Sequence, residues 1–209
     1  AIMWRPALAP QTAQPSFDAT RIGRGANLAR LGMCASCHTP DLSRPFAGGK
    51  PMNTPFGTVH STNITPDTRT GIGAWSEAAF TRAMREGVAR DGHLLYPAFP
   101  YNHYVRMTDG DIQDLYAYFM TRPAIVAPAR ENRMTFPFGF RPLVAFWNVL
   151  YLDDTPSQPV AGQSAEWNRG AYLFDAVAHC AACHTPRTLL GGPDLKKQLG
   201  GGEADDWYA

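Results

Sequence analysis

Apolar positions recur at helical spacing in three stretches of the chain, separated by runs where proline and glycine interrupt any pattern. Over Arg21 to Cys37, Ile22, Ala26, Leu28, Ala29 and Met33 recur at roughly helical spacing, with Arg24 and Arg30 on other faces. This spacing predicts a helix that Thr39-Pro40 ends. From Asp41 to Gly73, the residues Pro45, Gly48-Gly49, Pro51, Pro55, Gly57, Pro66, Gly71 and Gly73 forbid long regular structure. Ser76-Glu77 opens a second helix, which Gly87 stops. Thr108-x-x-Asp111 resembles a capping box and starts a third helix running to Met120, with Leu115, Tyr118 and Phe119 available to pack inward and Arg122-Pro123 at its close.

Two further segments break this rhythm. Phe136 to Leu152 is apolar almost throughout, yet Pro137, Arg141 and Pro142 lie inside it and it is short for a membrane span. It reads as core between two units or as a surface for a partner or membrane interface. Arg169 to Pro186 then repeats Arg24 to Pro40 with one extra residue. The expected organisation is a linker over 1–19, a first domain over 20–125, an apolar connector over 126–162 and the start of a second domain over 163–209.

Composition adds little and excludes some classes. The 18 prolines and 19 glycines in 209 residues imply much loop, while 44% hydrophobic content is too high for wholesale disorder. A net charge of +1 with no basic stripe argues against a nucleic-acid partner. At the N-terminus, Ala1-Ile2-Met3-Trp4-Arg5-Pro6 reads either as the last turn of a membrane anchor or as a mature terminus after signal cleavage.

The repeat carries the chemistry. Cys34-Ala-Ser-Cys37-His38 recurs as Cys180-Ala-Ala-Cys183-His184, and these pentapeptides use all four cysteines. C-x-x-C-H is the attachment pattern of c-type haem. Two thiols one turn apart add to the porphyrin vinyl groups, and the adjacent histidine reaches the iron. A zinc ribbon would place its second C-x-x-C within about 15–20 residues of the first, and a dithiol redox site has no use for the histidine. Two haems c are therefore expected, bound through Cys34, Cys37, Cys180 and Cys183, with His38 and His184 as iron ligands. The expected compartment is the periplasm, where haem is attached covalently. The expected fold is mainly α: tandem class I cytochrome c domains, each wrapping haem in helices and long loops.

The chain resembles the multi-haem cytochrome c subunits of membrane-bound periplasmic dehydrogenases. The Cys-x-x-Cys-His-Thr-Pro runs ending at Pro40 and Pro186 carry the resemblance, with Ser61-Thr-Asn-Ile-Thr-Pro-Asp67, Gly71-Ile-Gly-Ala-Trp-Ser76, Leu95-Tyr-Pro-Ala-Phe-Pro-Tyr101, Leu115-Tyr-Ala-Tyr-Phe-Met120, Phe136-Pro-Phe138 and Ala145-Phe-Trp-Asn148. It implies an electron-transfer subunit with no catalytic residue of its own. Such a subunit relays electrons from a catalytic dehydrogenase subunit, with an iron–sulfur subunit as a further candidate partner, to ubiquinone at the periplasmic face of the inner membrane. It also implies membrane anchoring and a third haem motif beyond Ala209. Phe99 stands where many relatives carry methionine, a departure that resembles cytochromes paired with molybdenum-dependent aldehyde or N-heterocycle dehydrogenases. The alternatives are the cytochrome subunit of a quinoprotein alcohol or flavin sugar dehydrogenase, and a di-haem peroxidase. Since Phe99 cannot bind iron, His103 is the expected distal ligand of the first haem, which would give it a low potential. Met107 is the alternative, but it lies almost at the start of the third helix, so its loop would have to fold back to bring it to the iron. His60 and His93 are expected to be loop residues.

Overall fold

The computed structural model describes residues 5–13, 15–204 and 207–209. The apolar run Ala1-Ile2-Met3-Trp4 lies outside them. Helices dominate, in the order α1 (Ala19–Leu31), α2 (Cys34–His38), α3 (Glu77–Glu86), α4 (Tyr101–Tyr104), α5 (Asp109–Met120), α6 (Pro142–Tyr151), α7 (Ala165–Tyr172) and α8 (Ala181–His184). Three short antiparallel strands, β1 (Pro51–Thr54), β2 (Gly57–His60) and β3 (Arg133–Met134), form a small sheet in the order β1-β2-β3. A second pair, β4 (Glu203–Ala204) and β5 (Trp207–Tyr208), is also antiparallel.

The crossing of α1 and α5 organises the first unit. Leu28 and Ala29 of α1 bury in one apolar cluster with Ile112, Leu115, Tyr116 and Phe119 of α5. The helices touch at Gly25, where a Cβ would lie 2.0 Å from the Asp114 carbonyl oxygen, so only glycine allows the approach. The buried Asp114 carboxylate accepts from Arg21 Nε at 3.2 Å and from Arg24 Nη2 at 3.0 Å, locking the same crossing electrostatically.

Helix ends follow local chemistry. Ser76 Oγ accepts from Ala79 N at α3, and Thr108 Oγ1 accepts from Asp111 N at α5. Gly87 stops α3 with φ of 62°. The first helix differs from expectation: it ends at Leu31, not Cys37. Gly32 caps it, Met33 turns left-handed at φ 49°, and α2 starts anew. In the loop after His38, where the prolines and glycines predict little order, β1 and β2 pair from Pro51↔His60 to Thr54↔Gly57.

Within the apolar stretch 136–152, Pro142–Tyr151 becomes α6, and its apolar side chains divide into a buried and an exposed set, with Phe140 just before it. Val144, Ala145 and Trp147 are buried, whereas Phe140, Leu143, Phe146, Val149 and Leu150 are exposed. No helix among the described residues is long and apolar enough to cross a membrane.

The extra residue of the second copy has a clear place. In the first copy, Gly32 N donates to Leu28 O, four residues back. The matching pair in the second copy, Ala178 N and Leu173 O, spans five residues, and Leu173–Val177 is a π-helical turn. His179, at φ 42°, then repeats the left-handed step of Met33 immediately before the next motif.

Candidate functional site

The first motif sits on α2 with its loops folded back over it. Gly48 N donates to His38 O at 2.9 Å and Phe46 N to Thr39 Oγ1 at 2.9 Å. Gly48 needs its φ of 72°, because a Cβ there would meet the Thr62 carbonyl oxygen at 2.3 Å. That carbonyl is the partner of His38, whose Nδ1 lies 2.7 Å from it. A carbonyl accepts only, so Nδ1 carries the proton and Nε2 keeps its lone pair. This is how iron-binding imidazoles are oriented from behind, and it makes His38 fit for haem c. Burial holds the His38 imidazole below its ordinary pKa, keeping it neutral, while the Thr62 carbonyl opposes the shift.

The Thr62 carbonyl is itself held by a buried polar run. Asn63 Nδ2 donates to Ile125 O at 2.7 Å, and Asn63 Oδ1 accepts from Thr65 N at 2.9 Å. Lys50 N donates to Ser61 Oγ at 3.0 Å. Ser61, Asn63 and Thr65 are all buried, and every one is hydrogen-bonded. The Ser61-Thr-Asn-Ile-Thr65 run is thus the scaffold of the His38 partner.

Cys34 packs against the cluster that holds Met107, Tyr104 and Phe80. Burial, with Cys37 nearby, pushes the Cys34 thiol up to about 12. The unreacted group is neutral and apolar in character, suited to lie against a porphyrin edge. Burial also pushes the Tyr104 phenol well up, and the two thiols of this motif add to that shift.

The second motif repeats the cradle. Gly201 N donates to His184 O at 3.0 Å and Leu199 N to Thr185 Oγ1 at 3.1 Å, matching the bonds of Gly48 and Phe46. Leu199 and Gly201 have φ of 59° and 88°, where Phe46 and Gly48 have 63° and 72°. The donor set therefore fits haem c at both motifs, although the His184 ring is exposed. Among the described residues, no group of three or more His, Cys, Asp or Glu is arranged to hold a metal ion, so the two cysteine pairs do not gather into one zinc site.

The two candidate distal residues part company. Met107 is 2% exposed and lies in the apolar cluster. His103 faces the second segment: its Nδ1 is 3.0 Å from the Asp175 carbonyl oxygen and 3.6 Å from the Asp175 carboxylate, and its ring lies 6.4 Å from that of His179. The imidazole of His103 and the guanidinium of Arg106, 2.6 Å away, hold the Asp175 carboxyl below the usual carboxylate range. His60 and His93 lie on β2 and in the loop after α3, His93 within 2.6 Å of Asp91. The roles of Thr62, Tyr104, Asp175 and His179 carry no sequence signal of their own. Only the Thr-Pro that follows both motifs hints at a shared cradle.

The sequence model of the cytochrome c family matches residues 22–123. A nicotinate dehydrogenase subunit of Pseudomonas putida is 50% identical over 100% of this chain and 18% of its own length. The gluconate 2-dehydrogenase cytochrome c subunit of Pantoea cypripedii is 46% identical over 90% of this chain and 45% of its own. The fructose dehydrogenase cytochrome subunit of Gluconobacter japonicus is 41% identical over 90% and 39%. The chain thus spans less than half of each of these relatives. The thiol pair, the oriented His38 and the folded-back loops all fall within residues 22–123, the stretch that is similar to cytochrome c.

Proposed function

We propose that the chain is an electron-transfer part of a dehydrogenase complex, carrying two haems c and no catalytic residue. The observation that carries this reading is the His38–Thr62 bond, which presents a neutral imidazole in the same motif as the half-buried Cys34 thiol and its partner Cys37. Haem c, when bound, supplies a one-electron Fe(III)/Fe(II) couple. Cys34 and Cys37 would tether the first haem and Cys180 and Cys183 the second, and His38 and His184 would be the iron ligands. Thr62 fixes the tautomer of His38, and Tyr104 and the surrounding apolar cluster exclude water.

For the sixth position of the first iron, the burial of Met107 in the cluster that Cys34 packs against supports the thioether. His103 is turned toward Asp175 and serves better as a structural contact. A filled sixth position favours electron transfer over peroxidase chemistry, which needs an open side.

The partner supported best is a molybdenum-dependent N-heterocycle dehydrogenase. The relative named for nicotinate matches the whole of this chain, and Phe99 agrees with that branch. The relatives named for gluconate and fructose support a flavin sugar dehydrogenase as the second reading. An iron–sulfur subunit, ubiquinone as acceptor, a periplasmic membrane-attached location and a third haem motif belong to the same proposal, and the exposed apolar face of α6 supports attachment.

The test is the intact mass and spectrum of the chain made in a haem-attaching periplasm. Two covalent haems are expected, and in a Cys180→Ala plus Cys183→Ala variant the spectrum of the remaining haem should be left unchanged by cyanide and carbon monoxide. Stoichiometric zinc without a Soret band would overturn the reading, and ready ligand binding would favour the peroxidase class.

A further inference from the structure

The two haem motifs are joined by a polar contact built on the one residue that the second copy has in excess. The π-helical turn Leu173–Val177 widens the backbone so that its bonds, Ala178 N to Leu173 O and Cys180 N to Phe174 O, step past the Asp175 carbonyl. That carbonyl accepts from His103 Nδ1. The Asp175 carboxylate takes Arg106 Nη1 at 2.6 Å, and Arg106 Nη2 reaches Asp153 at 3.3 Å. One turn further on, His179 Nε2 lies 3.2 Å from Gly32 O, the residue that caps the helix leading into Cys34, and the His179 ring stands edge-on to Tyr104 at 5.5 Å. Single-turn π insertions are enriched at functional sites, and this one places a carbonyl and a carboxylate together.

We propose that Asp175 is a positioning residue that clamps the second haem segment onto the distal loop of the first, fixing the geometry and the charge through which the two haems communicate. This rests on the two-haem reading above. A carboxylate near a haem favours the ferric state and a guanidinium the ferrous state, so the pair balances only while both members are present. Loss of Asp175 leaves Arg106 with Asp153 alone, and loss of Arg106 leaves Asp175 with only His103 beside it, with effects of opposite sign on the neighbouring iron.

The experiment uses the chain with both haems attached, as wild type, Asp175→Asn, Arg106→Gln, the double variant and Asp175→Glu. Intact mass reports haem content, a potentiometric titration reports midpoints, and photoreduction reports the rate at which an electron equilibrates between the haems. Asp175→Asn should raise a midpoint and Arg106→Gln should lower it, each slowing equilibration severalfold. The double variant should slow equilibration by less than the two single effects multiplied together, because the two residues act as a pair. Asp175→Glu should recover part of the wild-type rate. Shifts of the same sign in both single variants, or midpoints and rates like wild type, would overturn the clamp while the two-haem mass still stood. A wild-type chain without covalent haem would overturn the underlying reading together with it.

Discussion

Met107 and His103 stand four residues apart, and their surroundings assign them different tasks. The Met107 side chain is enclosed by the apolar cluster, and its carbonyl takes Arg85 Nη2 at 2.7 Å, which pins the backbone ahead of α5. With the backbone held there, the thioether already lies in the interior, and no folding back of the loop is needed to bring it inward. Replacing Met107 by Leu keeps the apolar volume and should abolish the ferric charge-transfer band at the red end of the spectrum. His103→Gln should leave that band in place. A band that survives Met107→Leu and vanishes in His103→Gln would restore the histidine. The cysteines and histidines of the two C-x-x-C-H motifs are legible from sequence alone, because covalent attachment and ligation dictate residue types at fixed spacing. The partner of His38 is not, because a backbone carbonyl leaves no residue-type signature; Thr62 contributes an atom that any residue would carry.

At the level of elements, helix positions and stops are readable wherever a capping side chain or a glycine marks them, as at Ser76, Gly87 and Thr108. The break between α1 and α2 is hidden because Met33 is an unusual residue for a left-handed turn. Crossing geometry is equally hidden, yet one glycine controls it. Gly25→Ala drives a Cβ into the Asp114 carbonyl and should cost about 1–3 kcal/mol in denaturant unfolding. Gly23→Ala, on the same helix with nothing within 4 Å, should instead stabilise by about 0.5–1 kcal/mol. Equal effects would deny the close crossing. The π-helical turn gives a second check at this scale, through pH. Asp175 lies below its ordinary 3.8, so its contribution is complete above that value and is lost as pH falls through the lower folded value. Protease cleavage of the 153–168 segment should therefore rise at acid pH in wild type, while Asp175→Asn is already susceptible at neutral pH.

For the whole molecule, the duplicated cradle leaves two surfaces of unequal finish. In the first unit α5 covers Gly25, whereas the matching Gly170 on α7 has nothing within 4 Å, and Trp167 and Phe174 beside it are exposed. The second unit thus shares the haem cradle of the first without its helix crossing among the described residues. The sequence leaves the connector open between core and interface, and α6 has a face for each: one set of its apolar side chains is buried and another is exposed. Trp147, 9% exposed, stacks near Tyr101 and Tyr151 and belongs to the interior. The exposed side chains of α6 carry no charge, with Phe146 at 59% and Val149 at 64% exposure, and Phe140 just before the helix is exposed as well. Exposed apolar side chains gathered on one helix, here Leu143, Phe146, Val149 and Leu150, are the signature of an interaction face. Phe146→Glu places a carboxylate among these exposed residues and leaves the buried Val144, Ala145 and Trp147 in place. That variant should keep its haem content and its unfolding stability within about 0.5 kcal/mol of wild type, as exposed substitutions do, and should lose co-purification with the membrane fraction or with the catalytic subunit. Trp147→Ala should do the reverse, costing about 3–5 kcal/mol of stability through the cavity it opens. Phe146→Glu co-purifying as well as wild type would show that the exposed face of α6 is not where this chain meets its complex.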